Sequence, residues 1–144
     1  RQGKSIRFHE DEIREMGRVA AGNIAIRMES GDEVVGMDVL GEGATILTVT
    51  ENGFGKRTPT EEYRVQGRGG KGILTIKTTQ RNGLVVYACQ VTDQDQLMII
   101  TEQGKIIRLK VADISVIGRN TQGVKLIDLA EGETVVAVAK VIED

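Results

Sequence analysis

Two columns of arginine carry most of the chemistry this sequence can do. Arg7, Arg57 and Arg108 occupy one position of a unit that recurs every 50 or 51 residues, and Arg18, Arg68 and Arg119 occupy another. Regularly spaced guanidinium groups are what a bent, evenly charged polyanion requires. Lys56, Arg64, Lys71 and Lys105 lie near these columns and join them as candidate anion contacts. The segment Gly67-Arg68-Gly69-Gly70-Lys71-Gly72 adds a backbone component. Its glycines allow close approach, so successive N–H groups can face an anion between the two cationic side chains. No Ser or Thr follows Lys71 and the glycine spacing is wrong for a nucleotide-binding P-loop.

The remaining composition argues against catalysis. One cysteine, Cys89, and one histidine, His9, supply neither a disulfide framework, nor a zinc ligand set, nor a nucleophile–base pair. No catalytic residue, metal or cofactor is expected. A lone cysteine, no apolar membrane span and no leader-like segment point to the cytoplasm. With two Tyr, two Phe and no Trp, a reader that stacks bases on aromatic platforms is disfavoured. A scaffold that binds proteins through aromatic anchors is disfavoured for the same reason. The net charge of −2 counts against nucleic acid unless the charges are segregated.

They are segregated, along a repeat. Gly3, Gly53 and Gly104 align, as do Ile13, Tyr63 and Ile114, then Gly22, Gly72 and Gly123, then Ile26, Ile76 and Ile127. After one inserted residue in the middle copy, Val34-Val35, Val85-Val86 and Val135-Val136 complete the match. This divides a single domain, 1–144, into repeats 1–43, 44–94 and 95–144. The first copy has six basic and nine acidic groups, a net −3; the second has seven and four, +3; the third has six and eight, −2. Each copy reads as short strands separated by turns. First strands fall at 46–50 and 97–101, second strands at 54–58 and 106–111, and third strands at 23–28, 73–77 and 124–129. Fourth strands fall at 33–39, 84–91 and 134–141. Four strands per unit of about fifty residues is the arithmetic of a propeller blade. A helix-like pattern at 10–16 aligns with loop-like 60–66 and is expected to make a turn at most. The first copy lacks a first strand, which predicts that the chain continues upstream.

If blades lie along an arc, equivalent positions share one rim, so all six repeated arginines are expected to be accessible on it. The alternative is a structural arginine–carboxylate pair repeated in every blade.

Residues 46–72 and 97–127, with Gly31 to Val39, resemble the C-terminal domain of DNA gyrase A. The resemblance covers essentially the whole chain. It implies an all-β fold: a propeller-like β-pinwheel whose blades exchange strands, here about three four-stranded blades as an open part of a six-bladed disc. It further implies a basic perimeter that wraps double-stranded DNA and supports negative supercoiling. The ATPase and magnesium chemistry would belong to the parent enzyme's other domains, and the partners would be the rest of gyrase A and the gyrase B protein. The family's hallmark heptapeptide matches at Gln66, Arg68, Gly69, Gly70, Lys71 and Gly72 and departs at Gly67. The full motif belongs to the family's first blade, so the chain reads as the last three. The equivalent domain of topoisomerase IV is the nearest alternative. An open blade edge predicts self-association.

Overall fold

The computed structural model describes residues 1–141, so the last three residues of the third repeat lie outside the described residues. The strands are β1 (Lys4–Ser5), β2 (Thr45–Thr50), β3 (Phe54–Pro59), β4 (Ile73–Leu74), β5 (Val85–Val91), β6 (Gln96–Thr101), β7 (Ile106–Lys110), β8 (Val124–Lys125) and β9 (Val135–Val141). Single 3₁₀ turns at Glu10–Glu12, Thr60–Glu62 and Val111–Asp113 occupy equivalent positions, so the helix-like pattern yields one turn.

Sequence repeats and sheets do not coincide. The second repeat supplies β5, β2 and β3 to a four-stranded antiparallel sheet, and β8 of the third repeat completes it beside β3. In the same way β4 of the second repeat pairs with β1 of the first, with Lys4 opposite Leu74 and Ser5 opposite Ile73. The third repeat contributes β7, β6 and β9. Each of these third strands therefore belongs to the sheet of the preceding repeat, the exchange that the resemblance implies. A glycine makes that crossing possible. Gly72 has φ +78°, and a Cβ there would lie 2.5 Å from the Ser5 carbonyl oxygen. Gly123 has φ +82°, and a Cβ there would lie 2.8 Å from the Gly55 carbonyl oxygen. Only glycine fits such an approach.

The alternation in β2 explains its central place. Leu47 and Val49 point into the main core, while Thr48 and Thr50 on the opposite face are also fully buried. The core joins the second and third repeats: Leu47, Val49 and Val91 pack with Leu97, Ile99, Val111, Ile114, Ile127 and Val135. Each such side chain contributes about 1.5–3 kcal/mol on burial. Ile76 and Ile127 of the repeated isoleucine column are buried and Ile26 is half-buried.

The expected strands are not all present. Residues 33–39 form no strand, because β5 and β9 pair with the first strand of their own repeat and the first repeat has none to offer. Residues 23–28 keep a single parallel bridge, Ile26 to Gly70. The other third strands shrink to the two residues that cross onto the neighbouring sheet.

Candidate nucleic-acid interface

Two members of each arginine column turn inward, in opposite directions along the chain. Arg7 Nη1 donates to the carbonyl oxygens of Thr60 (3.0 Å) and Tyr63 (3.2 Å). One repeat on, Arg57 Nε donates to the carbonyl of Ile114, the equivalent of Tyr63, at 2.9 Å. This column reaches forward and ties off the 3₁₀ turn of the next repeat. The second column reaches back. Arg68 Nη1 donates to the carbonyl of Ile24 at 3.0 Å, and Arg119 Nη1 to that of Leu74, the equivalent residue, at 2.7 Å. Hydrogen bonds from a charged donor contribute about 1.5–3 kcal/mol each. Arg7, Arg57, Arg68 and Arg119 are staples between repeats.

This corrects the expectation of six accessible arginines on one rim. Arg57 is only 6% exposed and pairs with Asp93 at 2.5 Å. Arg7, Arg68 and Arg119 are half-buried, and Arg18 and Arg108 are exposed. Arg108 Nε donates to Gln96 Oε1 at 2.6 Å. The carboxylate-pair alternative describes Arg57, whereas Arg7, Arg68 and Arg119 grip backbone carbonyls.

Lys56 also leaves the surface. Its side chain is fully buried, and Nζ donates to the carbonyls of Gly118 (2.7 Å), Arg119 (2.8 Å) and Thr121 (3.4 Å) and to Thr121 Oγ1 (3.0 Å). Burial pulls its pKa down to about 8, with Arg119 adding repulsion and Glu62 opposing the shift. No other repeat has a lysine here, so this staple is unique to one junction.

The glycine-rich loop does hold an anion, but an internal one. The Arg68 N–H donates to Glu12 Oε1 at 3.0 Å, and the Gly69 N–H to the Ala25 carbonyl at 2.6 Å. One repeat on, the Arg119 N–H faces Glu62 Oε1 at 3.4 Å. Glu12, Glu62 and Asp113 form an acidic column with the same periods as the arginines. The sequence carried that signal, and attention to cations alone missed it.

Among the candidates, Arg18, Arg64, Lys71, Lys105 and Arg108 remain exposed. Lys71 shares a cleft with Lys4 and Arg27, two cations that the spacing did not single out. Arg81 lies 5.0 Å from the centroid of the Phe54 ring. The other reactive types are scattered. His9 is exposed and its Nδ1 accepts from the Asp11 N–H, Cys89 is half-buried on β5, and Tyr63 is bonded to Thr75 Oγ1. Burial raises the pKa of both Cys89 and Tyr63. Among the described residues no three His, Cys, Asp or Glu side chains group as a metal site, and no helix is long and apolar enough to cross a membrane.

Antiparallel sheets completed by a strand from the next repeat and stapled across each junction define a propeller-like β-pinwheel. The sequence profile of the family described as DNA gyrase C-terminal domain, beta-propeller, matches residues 1–40, 44–88 and 95–142. The DNA gyrase A protein of Salmonella typhimurium is 52% identical over 142 residues, and that of Staphylococcus aureus 53% over 141. The matches cover 98% and 96% of this chain but 16% of each relative. A solved DNA gyrase A C-terminal domain superposes with a TM-score of 0.89 at 26% identity, covering 98% of this chain and 48% of that one. The C-terminal domain of DNA topoisomerase IV superposes at 0.90 with 25% identity, covering 97% and 44%. The chain belongs to the DNA gyrase A C-terminal domain family.

Proposed function

We propose that this chain binds the backbone of duplex DNA without sequence preference and wraps it, as a module of a longer DNA gyrase A protein. The observation that carries this reading is the charge asymmetry within a member of this family. The middle repeat is +3 while its neighbours are −3 and −2. After Lys56, Arg57 and Arg68 are committed to internal bonds, Arg64, Lys71, Lys77 and Arg81 of that repeat still face solvent. Exposed cations on a rigid sheet array meet phosphates, and no helix or aromatic platform among the described residues offers base readout. In the parent enzyme the module would serve ATP- and magnesium-dependent negative supercoiling in the bacterial cytoplasm. It would work with the rest of gyrase A and with the gyrase B protein, and contribute no catalytic group itself.

A gel shift on linear duplex of two unrelated sequences, repeated at two salt concentrations, tests the binding. Affinity should fall steeply with salt and agree between sequences. Wrapping is read by relaxing closed circular DNA with a nicking-closing enzyme in the presence of the chain, which should leave a changed linking number. Salt-independent or sequence-dependent binding would refute the reading.

A further inference from the structure

A cleft of about 310 Å³ lies at the junction of the first and second repeats. Lys4, Arg27 and Lys71 line it together with Glu29 and Asp32. The strand exchange sets these cations in place. Lys4 is on β1 opposite Leu74, Lys71 leads into the exchanged strand β4, and the Arg27 N–H donates to the Gly70 carbonyl at 2.8 Å. All three side chains are exposed. They come from three separate segments, so no motif in the sequence could show them together.

The two carboxylates do not cancel this charge. Asp32 Oδ1 accepts from the N–H groups of Gln2 (2.9 Å) and Glu33 (2.8 Å), so it is tied to the backbone of the cleft wall, and three cations stand against two carboxylates. Glu29 meets Lys4 at 3.6 Å with 68% of its side chain exposed. An ion pair that open to solvent contributes at most about 1 kcal/mol and yields to a competing anion.

The second junction is a control supplied by the repeat itself. There the position of Lys4 is Phe54 and that of Lys71 is Gln122. Phe54 is buried beneath Arg81, and Gln122 is held by Thr79 Oγ1 at 3.0 Å and by Asn82 Nδ2, which donates to its carbonyl at 3.1 Å. Of the three cationic positions the second junction keeps only that of Arg27, as the exposed Lys77, so one backbone framework carries a junction filled at two of these positions and one with all three cations.

We infer that the open junction is a phosphate-binding site, at which Lys4, Arg27 and Lys71 engage the backbone of duplex DNA. The site rests on the proposed DNA-binding function and assigns to it residues outside the repeated arginine columns. A phosphate oxygen entering between Lys4 and Lys71 displaces Glu29, and Arg27 offers its planar fork to the same group. Free phosphate presents the same chemistry, so the two sources need separate arms.

The test replaces Lys4, Arg27 and Lys71 by Gln together, beside a control with Lys110, Lys125 and Lys140 replaced by Gln. Both lose three positive charges, and circular dichroism with thermal melts checks that both fold. Each cation on a phosphate contributes about 0.9 to the slope of log affinity against log salt, so the cleft variant should lose about 2–3 from that slope. The control should lose clearly less. Inorganic phosphate, followed by chemical-shift titration, should perturb the cleft only weakly at millimolar concentration. Equal losses in the two variants, or an unchanged slope in the cleft variant, would overturn the site and leave the functional reading standing. Tight phosphate binding with an unchanged duplex slope would make it a small-anion site and overturn the duplex assignment. If the unaltered chain shows no salt-sensitive duplex binding, the functional reading fails and the site fails with it.

Discussion

Replacing Lys56 with Met separates a structural cation from a DNA-binding one. Met fills a similar volume but donates nothing, so the carbonyls of Gly118, Arg119 and Thr121 lose their donor. Each orphaned carbonyl costs about 1–3 kcal/mol, and release of the buried ammonium returns about 3, so the net loss at pH 7 is about 3 kcal/mol. The pH dependence is more diagnostic. Burial lowers the folded-state pKa of Lys56 from 10.5 to about 8, so between those values the unfolded chain binds a proton that the folded chain does not. Stability from this group therefore rises with pH, by about 2 kcal/mol between pH 7 and pH 9.5, at 1.36 kcal/mol per pKa unit. Cys89 and Tyr87 act oppositely, since burial raises their pKa and their contribution is lost as pH rises; subtracting the variant's curve removes both. Urea denaturation of the unaltered chain and the Lys56→Met variant at half-unit pH steps gives the difference. A difference curve that is flat from pH 7.5 to 9.5 would refute the buried, depressed lysine.

Arg57→Ala should lower stability by about 2–4 kcal/mol in urea melts, because it removes a buried charged donor and strands the Ile114 carbonyl. Its duplex affinity, measured while still folded, should be unchanged; a reduced salt slope would return Arg57 to the interface. Gly72→Ala should be far more damaging than Gly22→Ala in thermal melts. Both have positive φ, at a cost of about 1–2 kcal/mol, but only at Gly72 would the new methyl collide with backbone, whereas nothing lies within 4 Å of Gly22. The outer edge of β7 carries no partner strand among the described residues, and Ile106 on that strand is 57% exposed. Sedimentation equilibrium over a hundredfold concentration range should show a rising average mass, and a constant monomer mass would refute self-association through this edge.

The sheet-forming segments were legible because their signals are local: β-branched runs between glycine turns, repeated at a fixed period. Strand length was less so, because a third strand ends where it leaves its neighbour's edge, and that limit is set by a chain segment some fifty residues away. The arginine columns were visible as columns, yet their direction was not. A guanidinium that binds a carbonyl and one that binds a phosphate look alike in sequence, since the acceptor at Thr60 or Ile114 is backbone and has no letter of its own. Lys56 shows the limit most plainly. Nothing marks it against Arg64 or Lys71 except that its strand is covered on both faces, as the buried Thr48 and Thr58 attest.

The exchange of third strands has a genetic consequence. A sequence period and a sheet are offset, so gaining or losing one period of DNA in frame alters two sheets at once. The junction that forms afterwards still brings together a crossing glycine, a forward arginine, a backward arginine and their carbonyl acceptors, because every period encodes the same set. Recombination between periods can therefore lengthen or shorten such an array while keeping the repeated glycine and arginine contacts. Only the single-copy pieces fail to transfer. Lys56, and the Phe54 and Gln122 that fill one junction, are specific to individual positions.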